Sequence, residues 1–418
     1  MTVLSFLPML LTVVGAYFLI KLRRLFIYRP LCLFRSAVSI ARQRESRGAL
    51  LLALAGTLGV GNMVGVAYGI SVGGAGCVFW TFVSAIFSSV IKYAESSLAS
   101  YYGRGGMARV VSLTFKRAGV ALSRVYALLC IVLSLTMGSA LQAKSAIFTV
   151  QSGKCKRLVI AVVFILIVSF VILGGAKKIV RATSLIIPFS TIIYITLCLF
   201  VVFSNFSSLG AVFRMMITDA FNFKSTASGI GVFFASNAIK HGYLCGLLSN
   251  EAGAGTSAMA ESLADAPPGR VGLLGVVEVF FDTALLCTLT GVAILSSGAC
   301  LSGSGISILL SAFSSVFGSI ATPVLFFLVF SFALSTVICW YYYGSEYVGM
   351  LFHGRGRGVY TVFFLLASSI GTLIEESILI SASDVILFFM TVITVLALIK
   401  NSERICLLSE SILKNSDI

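Results

Sequence analysis

The stretch Gly56-Thr57-Leu58-Gly59-Val60-Gly61-Asn62 decides how this chain folds, because it sits in the middle of an apolar run from Ala49 to Val72. Roughly 20 apolar residues cover about 30 Å of hydrocarbon, so a run of this length reads as a membrane span. Glycine costs roughly 1 kcal/mol in a helix interior relative to alanine, and Gly56, Gly59 and Gly61 fall together at mid-depth. A helix facing lipid gains nothing from such a weak point. A helix that breaks inside the protein needs one, because its freed N–H and C=O groups then hold a solute or an ion. Close helix–helix contact through Gly61-x-x-x-Gly65 accounts for the same small residues. On this segment alone both readings stand.

The rest of the chain carries the same solvent signature. It is 58% hydrophobic and 11% charged, against roughly 25% charged in a water-soluble domain. Eleven apolar segments of helical length follow one another, at 2–20, 48–72, 75–98, 119–150, 157–175, 183–203, 229–248, 271–296, 319–343, 359–374 and 381–399. They predict an all-α integral membrane protein of about 11 transmembrane helices, a single polytopic domain over 1–418. The first segment lacks a basic region before it and has Lys21, Arg23, Arg24 and Arg29 after it, so it reads as a retained helix rather than a signal peptide.

A net charge of +15 would suggest nucleic acid in a soluble protein. Here the placement speaks for orientation instead. With the first residue outside, loops facing the cytoplasm hold 23 of the 30 Lys and Arg. By the positive-inside rule this predicts the N-terminus out and the C-terminus in. The expected location is the inner membrane of a bacterial cell, with the lipid bilayer as partner and no nucleic acid. The ten cysteines form no Cys-x-x-Cys and there are two histidines, His241 and His353, so no zinc, iron–sulfur or haem site is expected. Cys155 and Cys300 both fall on the outer face, without any spacing that speaks to pairing.

Setting aside 1–47, an extra helix and basic loop, ten segments divide into 48–203 and 204–400, followed by a tail at 401–418. Both halves open on a glycine-interrupted helix, the second at Ser228-Gly229-Ile230-Gly231. An odd number of spans per half inverts one half relative to the other, and paired interrupted segments point to a midplane site in a secondary transporter. Polar residues at membrane depth are few: Gln142; Glu278 and Asp282, four apart; Ser335, Thr336 and Trp340; and Lys92 with Glu95. For the two acidic residues, a structural pair and ion handling both fit. For Lys92 and Glu95, a local ion pair or interfacial anchor competes with a functional role. A Ser-Thr pair in a helix often bonds back to the preceding turn, yet beside a broken helix its hydroxyls complete an oxygen shell for a small cation.

Several segments converge on one family. Ala53–Ala67 resembles the signature of the alanine or glycine:cation symporters, as do Lys92-Tyr-Ala-Glu95, Ile172-Leu-Gly-Gly175, Gly246-Leu-Leu-Ser-Asn250-Glu-Ala-Gly253, Glu278-Val-Phe-Phe-Asp282-Thr, and Phe332-Ala-Leu-Ser-Thr336 followed by Trp340 and Tyr342-Tyr343-Gly344. The resemblance runs from about residue 48 to 346. It implies a leucine-transporter-type 5+5 inverted repeat with one extra N-terminal helix, and sodium-coupled import of small neutral amino acids, alanine or glycine, by alternating access. Carried over residue by residue, Thr57, Gly59, Gly61 and Asn62 at the break would hold the substrate carboxylate. Gln142 would add a side-chain hydrogen bond, Thr336 and Trp340 would line the pocket, and Ile230 and Phe234 would limit side-chain size. Sodium, a co-transported ligand rather than a cofactor, would sit among Gly56, Gly59, Ser335 and Thr336.

The chain departs from the family pattern at Val60, where a hydroxyl residue is usual, and at Lys144, two residues from Gln142. Cys245, Gly106–Arg109 and Val392–Val395 depart as well. Proton coupling, or a different solute such as D-alanine or serine, keeps the same fold. A channel would show a ring of like residues, and none is visible. An intramembrane enzyme using Glu278 and Asp282 would need a nucleophile or metal in register, and neither histidine is placed for that. The residues do not speak to oligomeric state.

Overall fold

The computed structural model describes residues 6–148, 154–222 and 236–416. Every regular element among the described residues is helical. Helix α1 (Leu7–Lys21) opens on Pro8, whose missing N–H costs nothing in a first turn, and closes on Lys21, which suits the negative end of the helix dipole. A π-helical turn (Arg24–Tyr28) leads to α2 (Pro30–Arg42) and then to α3 (Arg44–Thr57). The apolar run that opened the argument is not one rod. It stops at Thr57, makes a 3₁₀ turn at Val60–Asn62, and resumes as α4 (Val64–Gly73). Gly74, at φ +76°, turns the chain into α5 (Gly76–Tyr102); a side chain at that φ would be strained.

Then follow α6 (Gly106–Thr114), α7 (Lys116–Leu135), a π-helical stretch (Thr136–Leu141), α8 (Gln142–Phe148), α9 (Lys154–Ile172), α10 (Gly175–Ser204) and α11 (Leu209–Ala220). Beyond the undescribed residues come α12 (Asn237–Asn250), the short α13 (Ala258–Glu261), α14 (Pro268–Val279), a second long π-helical stretch (Phe280–Cys287) and α15 (Thr288–Ser296). The chain ends with α16 (Gly305–Phe317), α17 (Ala321–Leu351), α18 (Arg357–Ile370), α19 (Glu376–Lys400) and α20 (Ser402–Ser416). Among the described residues, seven helical stretches are long and apolar enough to cross a membrane: 76–102, 116–147, 155–172, 175–204, 268–296, 305–351 and 376–400. Leu7–Lys21, Val64–Gly73 and Arg357–Leu373 are shorter apolar helices.

Six helices occupy stretches outside or beside the apolar segments: α2, α6, α11, the one-turn α13, α16 and α20. Each taken alone is too short or too polar to read as a span, although α16 runs on into α17 within the stretch 305–351. They form because one stripe is apolar and finds a partner, as Met107, Val110 and Val111 do in α6.

The long α5 is the spine on which the site is assembled. In lipid, helices gain little from hiding apolar surface from one another and instead associate where small residues let backbones approach. Helix α12 meets α5 through Gly242 and Gly246, where a Cβ would strike Trp80 and Ser84. Helix α14 meets it through Gly272 and Gly275, where a Cβ would lie 2.8 Å from Tyr93 and 2.8 Å from Ser96. Gly61 and Gly65 behave differently, since a Cβ at either would meet nothing within 4 Å. Close helix packing therefore does not explain Gly61 and Gly65.

Candidate functional site: a broken helix and its braces

Leu58 leaves helical geometry at ψ 80° and Gly59 is extended at φ −118°, ψ −163°. In an unbroken helix the Gly59 and Val60 amides would bond to the carbonyls of Ala55 and Gly56. Instead the Gly59 N–H donates to the Thr57 carbonyl at 2.8 Å and to Asn62 Oδ1 at 3.1 Å. The Val60 N–H donates to Gln142 Oε1 at 3.4 Å, long for a bond of this kind. Two buried carbonyls are thereby released from the helical ladder. Thr57 itself is buried and turns its hydroxyl back to the Ala53 carbonyl at 3.4 Å.

Asn62 is the brace of this break. Its Oδ1 caps Gly59, and its Nδ2 donates to Asp282 Oδ1 at 2.6 Å and to Ser249 Oγ at 2.8 Å. Ser249 donates to Asp282 Oδ2 at 2.7 Å, as does Thr283, which in turn accepts from Asn250 Nδ2 at 2.9 Å. Both ends of the Asn62 carboxamide are therefore engaged within the protein. The Ser249-Asn250 pair of one motif and the Asp282-Thr283 pair of another interlock behind the break. Asp282 belongs to the π-helical stretch 280–287, and Gln142 directly follows the one at 136–141. The extra residue in such a turn re-aims a side chain, which is why π-turns collect at functional sites.

The wall opposite is α17. Thr336 Oγ1 donates to the Leu58 carbonyl at 3.3 Å and to the Phe332 carbonyl at 2.9 Å. A Cβ on Gly59 would lie 3.2 Å from that hydroxyl, and one on Gly56 would lie 3.1 Å from the Tyr343 hydroxyl. Ser335 is fully buried but turns its hydroxyl to the Phe332 carbonyl of its own helix at 2.9 Å. Trp340 packs edge-on to Tyr343, with ring centroids 5.5 Å apart, and presses on Gly138. Its indole nitrogen is buried without an acceptor among the described residues. Leu58, Gly59, Asn62, Met63, Tyr194, Leu286 and Phe332 line a gap beside the break too narrow for a water molecule. Ile230 and Phe234 lie outside the described residues. Lys144 points its ammonium to the Ile374 carbonyl, in the link before α19, rather than toward the break.

Glu278 and Asp282 do not act as a pair. Asp282 serves the break, whereas Glu278 holds Lys92 of α5 at 3.2 Å through both oxygens, with both residues fully buried. Ser257 closes the triangle, accepting from Lys92 at 2.6 Å and donating to Glu278 at 2.9 Å. Glu95 does not pair with Lys92 locally; it accepts the Gly253 N–H at 2.7 Å. Ser96 bonds Glu261 and Thr256 bonds Glu251. The whole stretch 251–261 is buried. Irregular backbone at this depth is tolerated only inside protein or beside a cavity, and here side chains of α5 supply its partners. Among the described residues no group of His, Cys, Asp and Glu has the arrangement of a metal site, and all ten cysteines, Cys155 and Cys300 included, are free thiols.

The sequence reading missed Ser249, Asp282 as a brace, and the walls Tyr194, Leu286 and Phe332. The first two had a signal, since each sits in a polar motif at membrane depth; the walls are apolar or aromatic residues within apolar helices and had none.

The chain is similar to known proteins in fold and in sequence. The structure matches that of MhsT in complex with L-phenylalanine with a TM-score of 0.59 at 15% identity, over 84% of this chain and 88% of that one, which shows a common fold. The sodium/alanine symporter AgcS of Methanococcus maripaludis is 32% identical over 77% of this chain and 73% of its own length. The amino-acid carrier protein AlsT of Bacillus subtilis is 30% identical over 85% and 78%. The sodium/proton-dependent alanine carrier protein of Bacillus sp. PS3 is 28% identical over 76% and 75%. The profile of the sodium:alanine symporter family matches residues 1–411, so this chain belongs to that family of transporters.

Proposed function

We propose that the protein imports a small neutral amino acid, alanine or glycine, together with sodium, by alternating access through two inverted five-helix halves, 48–203 and 204–400, that follow one extra helix. Its place is the inner membrane, with the N-terminus outside and the C-terminus in the cytoplasm. The observation that carries this reading is the released backbone at the break. The Ala55 and Gly56 carbonyls lack their helical donors, and at the same break the Leu58 carbonyl meets the Thr336 hydroxyl; carbonyl and hydroxyl oxygens are the hard ligands a small cation takes. The Val60 amide is held only by a long bond to Gln142. A substrate carboxylate is a stronger acceptor than a side-chain amide and displaces Gln142 from it.

In this reading Thr57, Gly59, Gly61 and Gln142 bind substrate, and Asn62 shapes the site by bracing it. Trp340 offers its indole N–H, and Ile230 and Phe234 limit the size of the substrate. Gly56, Gly59, Ser335 and Thr336 serve sodium. The test is uptake of labelled alanine by reconstituted vesicles. Accumulation that follows an imposed sodium gradient supports the proposal, and uptake indifferent to sodium overturns it.

A second reading, proton coupling, is favoured by one feature. Glu95 Oε2, Glu251 Oε1 and Glu261 Oε1 are buried with no hydrogen-bond partner among the described residues, and a half-satisfied buried carboxylate is far cheaper neutral than charged. Uptake driven by a proton gradient alone would select this reading.

A further inference from the structure

The segment between α1 and α3 has a property that transport does not use. Helix α2 buries Ala37 and Ile40 against the protein. Leu31 is 72% exposed and Phe34 60%, and in the π-helical turn before it Ile27 is 51% and Tyr28 66% exposed. Four large apolar side chains within eight residues form a patch of the kind that marks a membrane or partner contact. The residues among them are strongly basic. From Lys21 to Arg47 the chain has eight Lys and Arg and one acidic residue, Glu45. Arg24 is taken up by Glu410 of α20 at 3.6 Å. Arg23, Arg35 and Arg42 are exposed and form no ion pair with a described residue.

The position fits the composition. Tyr17 and Lys21 at the end of α1 bond Ser402 of α20 at 3.1 and 3.3 Å, and the Arg24–Glu410 pair continues that contact. The patch therefore lies at the end of the bundle where the C-terminal helix lies. Helix α2 is 13 residues long, about 20 Å, too short and too charged to cross a bilayer. Apolar side chains interleaved with arginines on a short helix are the pattern of an element lying in the headgroup plane, with the apolar groups in the acyl boundary and the guanidiniums on phosphate. We propose that Arg23–Arg42 is a docking surface for the headgroups of anionic phospholipids in the surrounding bilayer. The guanidinium fork matches a phosphodiester, and Leu31 and Phe34 fix its depth. The surface is remote from the break and stands independently of the transport reading.

The test is retention of phosphatidylglycerol against phosphatidylcholine by the full chain in neutral detergent, read by native mass spectrometry. The wild type is expected to keep phosphatidylglycerol preferentially, with the preference weakening as salt rises. R23Q/R35Q/R42Q is expected to lose it, by about five-fold per arginine. K116Q/R117Q/R124Q, which removes the same charge from the start of α7, is expected to retain it. Equal retention of the two lipids by the wild type overturns the proposal without recourse to any variant. So does an equal loss in both triple variants.

Discussion

Two stretches of irregular backbone among the described residues are buried, and they are held in opposite ways. At the break, residues 58–60 are tied by neutral groups, two of them at long range: Val60 to Gln142 at 3.4 Å and Leu58 to Thr336 at 3.3 Å. The stretch 251–257 is tied at shorter range by acidic side chains and a buried ion pair, with Gly253 on Glu95 at 2.7 Å and Ser257 inside the Lys92–Glu278 pair. Hydrogen bonds to charged groups contribute roughly twice what neutral ones do. The first region is built to exchange partners and the second to keep them. Asp282 marks the boundary, a charged brace placed behind an exchangeable site.

The largest effect is expected from Lys92→Met. Removing one partner of a buried ion pair leaves the other charge stranded and costs about 3–5 kcal/mol, so thermal unfolding in detergent should show little folded protein. K92M/E278Q should recover most of the loss, and a double variant no better than the single would refute the pairing. Asp282→Asn comes next. It removes the charge that Asn62, Ser249 and Thr283 all address and should cost about 2 kcal/mol. If the brace serves the break, uptake should fall further than stability does, measured as initial rate per folded molecule. Gly138→Ala pushes a Cβ into the Trp340 indole and should cost about 1–3 kcal/mol of strain, visible as a lower unfolding temperature. The smallest effect is Thr336→Val, which removes one hydroxyl at the break. It should raise the sodium concentration for half-maximal uptake about ten-fold, roughly 1.4 kcal/mol, while Ser311→Ala leaves it unchanged. Equal effects at 311 and 336 would remove Thr336 from the cation's surroundings.

Much of this contrast was legible in the residues. The glycines from Gly56 to Gly61 pointed to the break because helix interiors penalise glycine, although close packing through Gly61-x-x-x-Gly65 accounted for them equally until the structure placed nothing against Gly61 and Gly65. The motifs at Ser249–Gly253 and Glu278–Thr283 announced that polar groups gather in the membrane. Their partners were not legible. Lys92 and Glu278 are 186 residues apart, and sequence proximity offered Glu95 to Lys92 instead. Asn62 reads as a ligand because a lone carboxamide in an apolar run has no visible partner, yet its partner Asp282 is 220 residues away. The π-helical stretches add one residue to a turn without disturbing the apolar pattern, so nothing in composition betrays them. The surface helices α6, α11 and α16 escaped because one apolar stripe cannot be told from a loop with scattered apolar residues until its partner is known.

Amide hydrogen exchange over residues 55–65, measured with and without sodium and alanine, tests the central claim most directly. The Val60 and Gly61 amides are expected to exchange faster than those of α3 in the free protein and to become protected only when both solutes are present. Slow exchange throughout the stretch in the free protein, or protection unchanged by the two solutes, would contradict it.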